Sequence, residues 1–206
     1  MTPLKALSIT RPEDCVAGCS YPLSEADFLR LLHNGPPGNY VRFLYERDTK
    51  MLNDQAIWEK YAGFASKLAG HLQFIENNGV RVIYGFGAAD FGQISGYSVF
   101  TLMAHYSKSG DEVSLFDGIA NKTSFPGLIP AGFNGILDMS VCNAVIIRDE
   151  LKRVMSNQVI AYDVVVPILQ SLLVYKQVIR NLRRHQMNYI DCFVATISDL
   201  IKNDHE

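Results

Sequence analysis

Apolar positions along this chain follow two alternating rhythms. Trp58, Tyr61, Phe64, Ala65, Leu68, Leu72 and Ile75 recur three or four residues apart, which places them on one stripe of a helix. That stripe predicts a helix from Asp54 to about Glu76, stopped by Asn77-Asn78-Gly79. Val80 to Tyr84 then forms a short apolar run and predicts a buried strand. Earlier, Ser24 caps a predicted helix over Glu25 to His33, with Asp27 where a capping-box acid is wanted. Asn34-Gly35-Pro36-Pro37-Gly38 ends it. Leu4 to Ile9 and Tyr40 to Tyr45 are strand candidates, and the stretch holding Cys15 and Cys19 reads as a Pro/Gly/Cys loop.

The second half continues the pattern. Ser98 to His105 and Glu112 to Phe116 predict two strands, joined as a hairpin by Lys108-Ser109-Gly110-Asp111. After a loop with Pro126, Gly127, Pro130 and Gly132 come a strand from Ile136 to Val141, a helix from Val145 to Met155 and a strand from Val159 to Tyr162. Two helices follow, Pro167 to Arg184 and Met187 to Lys202. Strands alternating with helices imply a single α/β domain over 1–206, a three-layer sandwich whose mostly parallel sheet has helices on both faces, plus a small β-hairpin insertion. Functional groups in such folds gather at the carboxyl ends of the strands, where Gly85 and Cys142 both fall.

Composition narrows the function classes. With 206 residues, 48% hydrophobic and 19% charged, the chain has the make-up of a globular protein with a full core. A net charge of -2 gives no support to nucleic-acid binding, and Arg180-Asn181-Leu182-Arg183-Arg184-His185 reads as a solvated helix end. No apolar run reaches the length of a membrane span, and the first residues lack a secretory leader. Four cysteines do not make a disulfide framework, and Cys15 and Cys19 lack the two further ligands a zinc site needs. Reduced thiols in apolar contexts, Cys142 and Cys192, imply a cytoplasmic location. No cofactor is expected. Gly85, Gly87 and Gly92 do not have the spacing of a dinucleotide loop, and they read as a turn that needs positive φ.

Candidate chemistry centres on Cys142, a thiol presented where Gly135 to Ala144 turns from strand into helix, a position that favours the thiolate. Gly85-Phe86-Gly87, Ile136 to Ala144, Val159-Ile160-Ala161-Tyr162 and the closing helices together resemble the caspase-like cysteine peptidases, closest in pattern to the CHAT domains of bacteria. The resemblance covers most of the chain from Tyr40 onward. It implies a catalytic cysteine at Cys142 and a histidine where Phe86 stands. Phenylalanine has no titratable group, so it neither activates a thiol nor protonates a leaving amine.

The expectation is therefore a non-catalytic caspase-like domain that binds a peptide or protein partner. Two alternatives remain: an active cysteine peptidase with a rearranged base, and a flavodoxin-like domain for a small molecule or nucleotide. Cys142 and Phe86 are expected side by side on adjacent strands. His105, at a strand end, is the alternative base. Asp138, Gly85, Gly87 and Asp90 are candidate substrate-binding residues, although Asp138 also reads as a strand-end hydrogen-bond partner and Asp90 as too weak a base for a thiol.

Overall fold

The computed structural model describes residues 8–34, 54–107, 112–139, 144–154, 158–161 and 167–203. Among the described residues, eight strands and five α-helices run in chain order: β1 (Cys15–Cys19), α1 (Glu25–Asn34), α2 (Asp54–Asn77), β2 (Arg81–Tyr84), β3 (Val99–Met103), β4 (His105–Ser107), β5 (Glu112–Ser114), β6 (Ile119–Asn121), β7 (Ile136–Met139), α3 (Val145–Val154), β8 (Val159–Ala161), α4 (Ile168–Arg184) and α5 (Tyr189–Asn203). Short 3-10 turns lie at Pro12–Asp14, Ala88–Ile94 and Phe125–Leu128. The predicted strands at Leu4 to Ile9 and Tyr40 to Tyr45, and the turn Lys108 to Asp111, fall wholly or largely outside the described residues.

Five strands form one parallel sheet in the order β2-β1-β3-β7-β8, and β4-β5-β6 form a separate antiparallel sheet. Inside the large sheet, between β2 and β3, lies β1, a stretch the sequence pattern assigned to a loop. All five of its residues are buried. Cys15, Ala17 and Cys19 face one layer, and Val16 faces the other. A strand covered on both faces shows no polar alternation to mark it.

The α/β three-layer arrangement follows from how the faces are covered. On one face, Leu68, Leu72 and Ile75 of α2, with Leu172, Tyr175, Val178 and Ile179 of α4 and Tyr189 and Cys192 of α5, pack on Val99, Met103 and Ile136. On the other, Ile147 and Leu151 of α3, with Phe91, Ile94 and Phe125 of the 3-10 turns, pack on Phe100, Leu102, Leu137 and Met139. The helix that links β1 to β2 and the helix that links β7 to β8 thus lie on opposite faces. The winding reverses between the neighbours β1 and β3. That reversal is a topological switch point, where the connections leaving two adjacent strand ends part and open a crevice.

Ser24 caps α1 as its sequence predicts, its Oγ accepting from the Asp27 amide at 3.1 Å. Phe28 then stacks on Tyr61 at 5.9 Å between ring centroids, which fixes α1 against α2.

Candidate functional site

The carboxyl ends of β1, β2 and β3 are tied by main-chain bonds that run beyond the sheet. The Ser20 amide donates to Met103 O at 2.9 Å, and the Phe86 amide to Cys19 O at 2.9 Å. Ser20 Oγ donates to Phe86 O at 2.8 Å, and the Phe116 amide donates to the same carbonyl at 3.0 Å. The Gly85-Phe86-Gly87 loop is therefore held rigidly. Gly85 has φ +62°, a conformation that costs a side-chain-bearing residue about 1 kcal/mol. Gly87 is extended but close-packed: a Cβ there would lie 2.3 Å from the Asp117 carboxyl carbon. The Asp117 carboxylate accepts from the Ala88 amide at 2.6 Å and the Ala89 amide at 3.4 Å. Asp90 accepts from the Gly87 amide at 2.9 Å with one oxygen and from Gln93 Nε2 at 2.8 Å with the other. Gly85, Gly87 and Asp90, expected to bind substrate, are engaged in building this turn.

Phe86 is 0% exposed. Its ring lies 4.9 Å from that of Phe91 and 5.2 Å from that of Phe100 between centroids. It sits over Gly18 of β1, where a Cβ would meet the ring at 2.6 Å. Gly18 is thus the space that admits the benzyl group. The expectation that Phe86 and Cys142 project from adjacent strands falls partly outside the described residues, which omit Cys142, but the strands that lead to them are not neighbours. Phe86 follows β2, and both β1 and β3 lie between β2 and β7. Three strand spacings separate β2 from β7, about 14 Å. Phe86 plugs the core under the turn.

The strand that does neighbour β7 is β3, and after Ala104 it leads directly into His105, the first residue of β4. His105 is half-buried and pairs with Ser114 of β5. It follows by two residues Met103, whose carbonyl accepts from the Ser20 amide. Cys142 lies outside the described residues, which stop at Met139 and resume at Ala144. The register pairs Leu102 with Met139. His105 and Cys142 each lie three residues beyond that pair.

Asp138 was expected to line a substrate pocket, and its position corrects this. It is 1% exposed, on the face of β7 that meets the closing helices, and the Tyr189 hydroxyl donates to its Oδ2 at 2.5 Å. Burial and then the neighbouring Asp138 charge push the Tyr189 hydroxyl well above its usual pKa, so it stays a donor. The pair fastens α5 to the strand that leads toward Cys142.

Three other cysteines, Cys15, Cys19 and Cys192, are free and buried. Burial pushes the Cys19 thiol up to about 12 and the Cys192 thiol up to about 11, and raises Cys15 well above its ordinary value. Among the described residues, no group of three His, Cys, Asp or Glu side chains is placed to hold a metal, and no helix is long and apolar enough to cross a membrane. Comparison of the chain with protein-family models, curated proteins and solved structures returns no match.

The sequence marked β3 as a strand but not its place beside β7. Val99-Phe100-Thr101-Leu102-Met103-Ala104-His105 and Ile136-Leu137-Asp138-Met139-Ser140-Val141-Cys142 share one form: an apolar run that ends in a reactive side chain. That parallel was the available signal for His105 over Phe86.

Proposed function

We propose that this protein is a cysteine-dependent peptidase of caspase-like design, with Cys142 as nucleophile and His105 as its acid–base partner. The single observation that carries the reading is the strand order: the strand that leads to His105 neighbours the strand that leads toward Cys142. Neighbouring strands are about 4.8 Å apart. Side chains that follow the carboxyl ends of two neighbouring strands suit a thiol and an imidazole that must exchange a proton. The location beyond the carboxyl ends of parallel strands supports the same reading. His105 takes over the histidine position that the sequence resemblance assigned to Phe86.

In the proposed reaction His105 accepts the Cys142 proton, and the thiolate sulfur attacks the carbonyl carbon of the scissile amide. The C–N bond breaks, and the imidazolium gives its proton to the leaving amine. A thioester remains. Water attacks it as His105 takes the water's proton, the C–S bond breaks, and a carboxylate leaves.

The test is covalent capture and turnover together. A peptidyl acyloxymethyl ketone should label Cys142 in the native protein and fail with Cys142→Ala. A mixed fluorogenic peptide library should be cleaved by the native protein and not by Cys142→Ala or His105→Ala. Labelling no faster than in the unfolded chain, with no cleavage, sinks the catalytic reading. In that case the same scaffold serves as a non-catalytic domain that binds a peptide or protein partner.

A further inference from the structure

Helices α2 and α4 pack side by side and carry a row of cations along their shared outer seam. Lys176 Nζ lies 4.3 Å from the Phe74 ring centroid, and the Arg180 guanidinium lies 4.8 Å from the same centroid. Lys176 Nζ also lies 3.3 Å from His71 Nδ1 of α2. One turn further along, Arg183 donates to Asn78 Oδ1 at 3.1 Å. Lys176, Arg180 and Arg183 thus succeed one another at helical spacing along about 10 Å of seam.

Acids gather at one end of the row only, where Glu13 and Asp14 line a pocket with Arg183 and Arg184. The 17 residues of α4 contain no aspartate or glutamate. On α2 the one acid near the seam is Glu76, and it accepts from the Tyr84 hydroxyl at 3.0 Å. The chain as a whole is acidic, at -2, so the row is a local concentration. Cations in the last turn of a helix are favoured by its dipole, which accounts for Arg183 and Arg184. It does not account for Lys176 and Arg180, which sit on one aromatic ring well inside the helix. Cation–π contact favours each of them separately and does nothing to relieve their mutual repulsion. A carboxylate placed between them would relieve it. Leu173, 56% exposed, lies one turn before Lys176 and gives the seam an apolar end.

We propose that the α2–α4 seam binds a short acidic peptide segment of a partner protein, with carboxylates on Lys176, Arg180 and Arg183 and one apolar side chain on Leu173. A run of about four extended residues spans the row. Burial and the nearby Lys176 charge hold His71 below its usual pKa, so His71 is an acceptor at neutral pH and leaves the lysine oriented toward the ring. The seam is independent of the carboxyl-end site and serves as a docking face whether or not that site is catalytic.

Fluorescence anisotropy of a labelled peptide of four glutamates flanked by a leucine tests the proposal. Native protein should bind it at low salt, with an affinity that falls steeply as salt rises. Lys176→Glu combined with Arg180→Glu should weaken binding at least tenfold, and Arg153→Glu on α3 should leave it unchanged. Lys176→Gln with Arg180→Gln, milder for folding, should give an intermediate loss. The proposal is overturned if the peptide does not bind, if the charge-reversed protein binds it equally well, or if polyphosphate or a single-stranded oligonucleotide of matched charge binds through the same residues as tightly.

Discussion

Replacing Phe86 by histidine separates the two places a catalytic imidazole has been assigned. If Phe86 occupied the histidine position of a disabled peptidase, Phe86→His would restore activity. The packing says otherwise. The ring is fully buried among Phe91, Phe100 and the Gly18 backbone. Burial of a phenylalanine contributes about 1.5–3 kcal/mol, much of which the smaller polar ring forfeits. An imidazole nitrogen left without a partner there costs about 1–3 kcal/mol more. The expected loss is about 3–5 kcal/mol, or roughly 10 °C in the unfolding midpoint of a chain this size. Such an imidazole is also driven toward its neutral form, so the variant should lose further stability as pH falls below about 6.5. Urea unfolding at pH 7.5 and pH 5.5, run beside a peptide-hydrolysis assay, reads both effects. Phe86→His within about 1 kcal/mol of the native protein, with hydrolysis gained, would refute the reasoning.

Other perturbations probe the same framework. Gly18→Ala puts a methyl group 2.6 Å from the Phe86 ring and should cost about 1–3 kcal/mol, with the cost reduced in a Phe86→Leu background; equal costs in both would deny the contact. Tyr189→Phe removes the donor to Asp138 and should cost about 1–3 kcal/mol, measured by urea unfolding, whereas a change under about 0.5 kcal/mol would mean the pair does not fasten α5. Lys176→Gln should raise the His71 pKa toward its ordinary value, followed by NMR titration. Because the folded-state pKa of His71 is lowered, its contribution is present above about pH 6.5 and lost on acidification; the acid-side loss should become shallower in that variant. A thiol near pKa 12 is ionised at about one part in 100,000 at pH 7, so Cys19, with Cys15 and Cys192, should resist iodoacetamide until the protein is unfolded.

Most helices were legible because their apolar stripes are long. The α2 stripe from Trp58 to Ile75 and the closing helices α4 and α5 lie within a residue or two of where periodicity puts them. The strands β2, β3, β7 and β8 were legible as apolar runs. The interior strand β1 was not: Cys15-Val16-Ala17-Gly18-Cys19 is short and small, and its glycine serves the Phe86 ring, a partner 68 residues away. The strand β6 was missed for a related reason, since Ile119-Ala120-Asn121 has one buried side chain and gains its stability from pairing with β5. The site was half legible. Local sequence marks strand ends, but the order of strands in a sheet is a long-range property. Only that order decides whether Phe86 or His105 shares a boundary with the strand leading to Cys142.

The most direct measurement is the pH dependence of Cys142 alkylation by iodoacetamide, read by peptide mass spectrometry, in native protein and in His105→Ala. With His105 as partner, the native thiol should react rapidly at pH 6–7 with a flat profile into the alkaline range. His105→Ala should slow labelling at pH 7 by at least tenfold and return the midpoint to about 8.5, the range of a free thiol. Superimposable profiles for the two proteins would contradict the pairing of His105 with Cys142 and, with it, the account of this site.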